Sequence, residues 1–275
     1  MSRIILPVKS DIIFKLFFAD ERNIEFLTDF LKSALSIPVE DYDEIVIVDP
    51  HLIREHKTDK LGIIDVKLKT VSGKTIHIEI QVAPMPFMRE RIAFYDAKMI
   101  TEQIGKSDRY EAIKQVISII ITEDEFIAKS PKYHHRFTMY DKVNDVELTD
   151  IVEVHTLELC KIKTGTDDSR LYYWMEFIKA EEEIELEAVA QRDPLIKRAV
   201  ARLMELSADE QTRMLYELRE KERMDNETRE DWKLKQQAIE FAKKMLADKD
   251  PIDKIMRYTN LTKKEIENLL TSIED

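Results

Sequence analysis

The stretch that decides the fold runs from Gly62 to Gln81 and reads GIIDVKLKTVSGKTIHIEIQ. It contains two runs in which apolar and polar residues alternate, a pattern typical of β-strands with one buried face. The apolar faces are Ile64, Val66 and Leu68 in the first run and Ile76, Ile78, Ile80 and Val82 in the second. A short polar segment that contains Gly73 separates the runs, so the sequence predicts a β-hairpin.

The polar faces of the two strands must coincide, and this condition limits the register of the hairpin. Because side chains alternate with a period of two, a slip of one residue would bury the polar set. Pairing of Asp65 with Glu79 satisfies the condition and also sets Lys67 opposite His77. We therefore expect both carboxylates on one face of the sheet.

The same register defines the turn. It leaves residues 71–73 as a three-residue loop, and such loops usually need a left-handed residue near their end, which Gly73 supplies. A two-residue loop of Ser72 and Gly73 would instead set Asp65 against Ile80 and mix the faces. We expect the three-residue loop.

Two directly opposed carboxylates need an explanation. Their Cβ atoms would lie about 5 Å apart, and like charges at that distance destabilise a hairpin. A neighbouring cation such as Lys67 would offset the repulsion, and so would a divalent metal, for which carboxylate oxygens are suitable ligands. Gln81 lies on the same face and offers both a donor and an acceptor. The alternative interpretation is an ordinary hairpin with a solvated charged face.

Composition and charge limit the class of protein. The 275 residues include 43 Lys+Arg and 55 Asp+Glu, which give a net charge of −12, and 44% are hydrophobic. These values are typical of a globular protein with solvated helices. They argue against unspecific nucleic-acid binding, which needs clustered basic residues. The acidic excess lies mainly after residue 100, since residues 1–100 hold 14 basic and 16 acidic side chains.

Cysteine content and hydropathy exclude further classes. The single cysteine, Cys160, rules out a disulfide framework and a multi-cysteine zinc site, and its apolar neighbours predict a buried side chain. The longest apolar run, residues 116–121, is much shorter than the roughly 20 residues of a membrane span. Pro7 ends the apolar start of the chain, so no signal peptide is expected. We expect a cytoplasmic protein with no membrane partner.

The remaining patterns predict an α/β core followed by helices. Helical periodicity covers residues 11–36 and 87–104. Strands are predicted at 45–48, 63–69, 75–82, 116–122, 133–140 and 151–159, of which 116–122 is apolar on both faces, as in a central strand. Two or three long helices are expected between residues 170 and 247, followed by a pair at 252–258 and 263–273, with Thr262 and Glu265 as a capping box.

Several segments in this order resemble one group of nucleases. Asp65, a hairpin and then Glu79-Ile80-Gln81 resemble the D…ExK core of the PD-(D/E)XK nuclease superfamily in an ExQ version. The segments DIIFKLF (11–17), KLGIIDV (60–66) and RIAFY (91–95), with Gly105 and Tyr110, extend the match. Residues 255–270, IMRYTNLTKKEIENLL, are similar to the helical ends of these proteins. Together the segments resemble the Rpn family of recombination-promoting nucleases, also described as transposases, over roughly residues 5–180.

The resemblance implies a restriction-endonuclease-like core, a central mixed sheet flanked by helices, and metal-dependent cleavage of DNA. We expect this core in residues 1–165 and a helical C-terminal region in residues 166–275. The resemblance assigns Asp65 and Glu79 to Mg²⁺ or Mn²⁺, with the Ile80 carbonyl as a further ligand. The ion would polarise the phosphodiester and lower the pKa of a bound water.

Gln81 is the third predicted catalytic residue, and it departs from the superfamily pattern. A lysine is usual at this position, as a proline is at the position of Ile64. Glutamine can position water or phosphate, but it carries no positive charge for the transition state.

Four more residues of the matching segments are candidates for auxiliary roles. Lys15, Arg91 and Tyr95 could contact phosphate or brace the site, and surface or packing roles are equally open. Asp11 follows Ser10 at a helix start, where a capping role is the alternative to a catalytic one.

Two further features have simpler interpretations. His134 and His135 are adjacent on a predicted strand and point to opposite faces, so we do not expect a metal site there. The two short helices around Asn260 resemble a helix-turn-helix, but the last one carries Glu265 and Glu267 as well as Lys263 and Lys264. We therefore expect this C-terminal region to serve in packing or in homo-oligomer formation rather than in DNA recognition.

The sequence thus predicts a Mg²⁺-dependent DNA endonuclease that promotes recombination or belongs to a mobile element. The alternative is a DNA-binding or protein-interaction module that keeps the fold without catalysis, which the acidic balance and the missing lysine favour. An enzyme acting on RNA is a third interpretation.

Overall fold

The computed structural model describes residues 5–48 and 65–274, with side chains described up to residue 270. Residues 63 and 64 of the predicted first hairpin strand lie outside these ranges. The chain divides into two compact units, Met1–Tyr216 and Glu217–Asp275. The boundary predicted near residue 165 falls within the first unit, and a separate core domain of residues 1–165 stays a prediction.

Within the described residues, the first unit contains a six-stranded mixed sheet. Its strands are β1 (Val46–Val48), β2 (Val66–Lys69), β3 (Thr75–Gln81), β4 (Val116–Thr122), β5 (His134–Asp141) and β6 (Val146–Glu158), in the spatial order β1-β2-β3-β4-β6-β5. The strands β3, β4 and β6 run parallel to one another, and the other pairs are antiparallel. Every residue of β4 is buried, as its doubly apolar sequence predicts.

Helices cover both faces of this sheet. The helices of the first unit are α1 (Asp11–Phe18), α2 (Ile24–Ala34), α3 (Met88–Thr101), α4 (Arg170–Lys179), α5 (Glu183–Ala190) and α6 (Pro194–Ala208), and α7 (Glu210–Ala247) begins in it. The main core joins the apolar face of the hairpin to α1, α2 and α4, with the fully buried Phe14, Phe30 and Trp174 at its centre. On the opposite face, Met88 and Ile92 of α3 pack against Ile120 of β4. The fold class expected from the resemblance is confirmed.

The hairpin has the predicted register and turn. Lys67 pairs with His77, and Lys69 pairs with Thr75. The N–H of Thr70 donates to the carbonyl of Lys74 at 3.1 Å, so three residues form the loop. Gly73 has a φ of +86°, the left-handed conformation that the loop needs.

Two helical predictions and one burial prediction were wrong in part. Residues 11–36 form two helices, because the chain turns at residues 19–23, where the buried Asn23 side chain donates to the Phe17 carbonyl at 2.8 Å. The described residues 170–247 hold four helices rather than two or three. Cys160 is exposed, because it lies on the short 3-10 turn Leu159–Lys161, which buries Leu159 and turns the next side chain outward.

The second unit is helical. It includes the end of α7, α8 (Ile252–Thr259) and α9 (Lys263–Glu274), whose buried core contains Ala242, Met245, Ile255, Leu261 and Ile266. The predicted capping box is confirmed, since the Thr262 N–H donates to Glu265 at 2.8 Å and the Glu265 N–H donates to Thr262 Oγ1 at 3.3 Å. Within residues 5–48 and 65–274, no helix is both long and apolar enough to cross a bilayer.

Candidate active site

The two predicted acidic residues lie side by side near the carboxyl end of β3. The β2–β3 register ends at the pair Val66 and Ile78, and its extension by one residue sets Asp65 beside Glu79. The Ile80 N–H donates to Asp65 Oδ2 at 2.8 Å, which ties Asp65 to the strand that carries Glu79. Both carboxylates are shielded, with 11% of the Asp65 side chain and 5% of the Glu79 side chain exposed. The hairpin face that carries Glu79 is therefore not solvated.

Each carboxylate has a cation beside it, supplied by one of the predicted auxiliary residues. Lys15 of α1 places its Nζ 3.0 Å from Asp65 Oδ1, and Arg91 of α3 places an Nη2 atom 2.7 Å from Glu79 Oε1. The Arg91 guanidinium also lies 5.1 Å from the ring centroid of Tyr95, so the ring helps to hold it. The structure therefore brings Lys15, Arg91 and Tyr95 to the acidic pair.

Asp11 acts on the site through its charge. It lies in the first turn of α1, where its Oδ1 accepts the Ile12 N–H at 2.8 Å, and Ser10 is the N-cap residue. Burial is the main cause of the raised pKa of Asp65, and the Asp11 charge adds a smaller rise. The capping position predicted for Asp11 thus belongs to its neighbour Ser10, and Asp11 adds to the negative potential around Asp65.

Burial makes both carboxylates reluctant to ionise. It raises the pKa of Glu79 to about 7, with the nearby Asp65 charge adding to the rise and Arg91 opposing it. Burial also raises the pKa of Asp65, against the lowering effects of Lys15 and the Ile80 N–H. Carboxyl groups whose pKa is raised by burial and by a neighbouring carboxylate are typical of functional sites. A cation bound between them would stabilise their ionised forms.

The donor set fits a divalent metal. Glu79 Oε2 is buried and has no hydrogen-bond partner, which leaves a hard oxygen ligand unused. No group of three or more His, Cys, Asp and Glu side chains is arranged to hold an ion within the described part of the chain. Mg²⁺ is commonly bound by only one or two carboxylates, and waters and substrate phosphates complete its coordination shell. Two carboxylates and the Ile80 carbonyl are consistent with this coordination.

Gln81 is the last residue of β3 and is less closely tied to the acidic pair. Its side-chain nitrogen donates to the Ala83 carbonyl at 2.8 Å. That contact holds the amide against the backbone that follows the strand. Positive charge next to the acidic pair is carried by Lys15 and Arg91.

A buried polar chain beside the site was missed by sequence reasoning. His77 Nδ1 lies 2.9 Å from Ser118 Oγ, and Ser118 Oγ also makes a short hydrogen bond to Asp96 of α3. Burial lowers the pKa of His77 to about 3 and raises that of Asp96 to about 6. This chain joins β3, β4 and α3, and so it helps to fix the helix that carries Arg91. The signal in the sequence was Ser118, a lone polar residue inside an apolar strand.

The two adjacent histidines have separate partners. His134 Nε2 lies 2.8 Å from His155 Nδ1, and His155 Nε2 lies 2.6 Å from Glu153, which Arg136 also contacts at 2.8 Å. These contacts contribute to lowering the pKa of Glu153 to about 2 against the effect of burial. His135 lies 3.4 Å from Glu158 at the end of β6. Both histidines thus lie in the β5–β6 part of the sheet.

Comparisons with known proteins identify the family. The family model of the PD-(D/E)XK nuclease family transposases matches residues 8–231, which include all seven predicted site residues. The comparisons with curated proteins and with solved structures gave no match. The match covers most of the chain and agrees with the mixed sheet and its flanking helices. The chain therefore belongs to the PD-(D/E)XK nuclease family transposases.

Proposed function

We propose that the protein is a Mg²⁺- or Mn²⁺-dependent DNA endonuclease whose metal ligands are Asp65 and Glu79. One observation supports this most strongly: two buried acids converge from neighbouring positions of a hairpin, and Glu79 Oε2 has no hydrogen-bond partner. Burial of two adjacent carboxylates costs free energy that a purely structural hairpin has no reason to spend. A bound dication would offset that cost.

The side chains around the acids have distinct tasks in this proposal. A divalent metal, when bound, supplies Lewis-acid activation of the phosphodiester and of a water. Lys15 and Arg91 are 34% and 29% exposed, so both can reach a phosphate oxygen from their places beside the acids. Positive charge held in advance near a phosphorus centre stabilises the charge that develops during hydrolysis. Lys15 and Arg91 would thus supply what Gln81 lacks.

DNA is the proposed substrate, and strand exchange or the movement of a mobile element is the proposed setting. The support is the family, which is one of nucleases described as transposases. We further propose that the helical C-terminal region mediates self-association and that the protein acts in the cytoplasm. Sedimentation velocity measures the self-association, and cell fractionation measures the location.

The alternative is a module that binds DNA or protein without catalysis. Three contacts favour it: Lys15 pairs with Asp65, Arg91 pairs with Glu79, and the Gln81 amide is held by the Ala83 carbonyl. Calorimetric titration with Mn²⁺ separates the two functions. A nuclease of this design binds the ion, and binding is lost in Asp65→Asn, whereas a module without catalysis has no need of the ion.

The decisive activity test uses supercoiled plasmid with and without Mg²⁺. We expect the wild type to nick or linearise the plasmid only with the metal, and we expect Asp65→Ala to lose cleavage while keeping its circular dichroism spectrum. Glu111→Gln is the matched control, because the Glu111 side chain is 78% exposed and pairs with Arg109 at the surface. Full activity of Asp65→Ala would reject the assignment, and preferential cleavage of an RNA strand would replace DNA as the substrate.

A further inference from the structure

A second concave site lies beside the acidic pair, on the same face of the sheet. It is a groove of about 570 Å³ between α3 and the outer strands β5 and β6. Its sides are apolar and include Ile92 and Ala97 of α3, Phe126, and Phe137 and Val154 of the two strands. This volume lies within the range of pockets that hold small organic groups.

The groove also has polar residues among its apolar walls. Thr156 lines it, is 1% exposed, and has a hydroxyl without a hydrogen-bond partner. Asp96 also lines it and is 3% exposed. A buried hydroxyl without a partner is unfavourable unless a water or ligand completes it, so Thr156 indicates a binding group that the chain itself does not provide.

The strand register relates this groove to the proposed nuclease site. Glu79 pairs with Ile120 of β4, and Ile120 pairs with Thr156 of β6, all in parallel register and on the face covered by α3. Adjacent strands are about 4.8 Å apart, so Thr156 and Glu79 are separated by about 10 Å of sheet. A phosphate at the acidic pair and a base in the groove are therefore close enough to belong to one short stretch of a substrate strand.

A basic residue stands at the groove. Arg89 lines it and is exposed, and its guanidinium lies 5.2 Å from the Phe126 ring centroid while an Nη2 atom donates to the Phe126 carbonyl at 3.2 Å. A guanidinium held in this way can contact a phosphate next to the groove. Apolar walls, two aromatic rings, a carboxyl, a hydroxyl and a nearby guanidinium together match the components of one nucleotide.

We propose that this groove binds a single unstacked base of the substrate strand, close to the cleaved phosphate. The Asp96 carboxyl would accept a hydrogen bond from an exocyclic amine of the base, the Thr156 hydroxyl would form a hydrogen bond with a ring atom, and the aromatic rings would contact the base plane. A base with an exocyclic amine is favoured over thymine, because thymine offers a carbonyl where Asp96 needs a donor. The proposal rests on the nuclease function proposed above.

The test follows one base in a DNA duplex that carries a single unpaired 2-aminopurine. Fluorescence anisotropy reports duplex binding by the full chain, acrylamide quenching reports whether the base is shielded, and a gel shows whether the strand stays intact. We expect the wild type to lower the quenching constant about threefold or more, as an enclosed base requires. Unlabelled duplexes with an unpaired adenine should compete better than those with an unpaired thymine.

Substitutions in the groove give the matched comparison. Ala97→Trp fills the groove from an exposed position of α3, so the base should become as accessible as in the unbound duplex. Ala201→Trp makes the same change at an exposed position of α6 and should behave as the wild type. Thr156→Val keeps the shape and removes one hydrogen bond, so the affinity for the unpaired duplex should fall about fivefold.

The outcomes separate the two proposals. A wild type that cleaves plasmid but leaves the base open to quencher overturns base binding alone. A wild type that neither binds the duplex nor cleaves plasmid overturns both proposals. If Ala97→Trp changes the sedimentation coefficient and leaves quenching unchanged, the groove is a protein contact and base binding is wrong. Equal competition by adenine and thymine rejects the role of Asp96.

Discussion

Metal binding by this protein should depend steeply on pH, because one of the two proposed ligands is hard to ionise. Burial and the charge of Asp65 raise the pKa of Glu79 to about 7. A carboxyl must lose its proton before it binds a metal ion, so protons compete with the metal below this pH. The pKa of Asp65 is also raised by burial, and its titration acts in the same direction.

The size of the effect follows from the pKa of Glu79. Ionisation of a group with a pKa near 7 rises from about 10% at pH 6 to about 90% at pH 8. The apparent dissociation constant for Mn²⁺ should therefore fall about tenfold over this interval, which corresponds to about 1.4 kcal/mol. At pH 6 each ion bound should release close to one proton.

Calorimetric titration with Mn²⁺ at pH 6, 7 and 8, repeated in buffers of different ionisation enthalpy, measures both quantities. The Glu111→Gln variant should follow the wild type, because that side chain is at the surface. An affinity that is constant from pH 6 to 8, with no proton release, would refute the claim that Glu79 is both buried and a metal ligand.

Three further predictions concern single side chains. In the metal-free protein, the raised pKa of Glu79 stabilises the fold below pH 4.5 and this contribution is lost as the pH rises through about 7. Between pH 4 and 8, the unfolding free energy of the wild type measured in urea should fall by on the order of 3 kcal/mol relative to that of Glu79→Gln. Unfolding free energies of the two proteins that change with pH in the same way would contradict this. Gln81→Lys adds a cation at the end of β3 and should speed plasmid cleavage, whereas an unchanged rate and metal dependence would make Gln81 a bystander. Gly73→Ala forces a side chain onto a φ of +86° and should cost about 1 kcal/mol in unfolding free energy, with Gly105→Ala, which lacks a positive φ, as the near-neutral control.

The hairpin could be predicted because its information is local. Alternation fixed which side chains share a face, and Gly73 could be matched to the left-handed position of a three-residue loop. The central strand Val116–Thr122 was equally clear, since a strand covered on both faces needs apolar residues on both. These features depend on neighbours within a few residues or on one hydrogen-bonded partner strand.

The surroundings of the acids depend on contacts between distant segments. Sequence patterns marked Arg91 as a candidate, but only the packing of α3 on the sheet sets it against Glu79. The buried hydrogen-bonded chain from His77 through Ser118 to Asp96 joins three elements. Its residues are far apart in the sequence, so no local pattern predicts that they meet. The break between α5 and α6 does have a local signal in the sequence, since Asp193 stands just before Pro194 and caps α6 by accepting the N–H groups of Leu195 and Ile196.

The most direct test of the account is a crystal of the full chain soaked in Mn²⁺ and measured at the manganese absorption edge. We predict an anomalous difference peak about 2.1 Å from carboxylate oxygens of both Asp65 and Glu79, and its loss in crystals of Asp65→Asn. A peak bound by other residues, or carboxylates that keep their contacts to Lys15 and Arg91 with no ion between them at saturating Mn²⁺, would contradict the account.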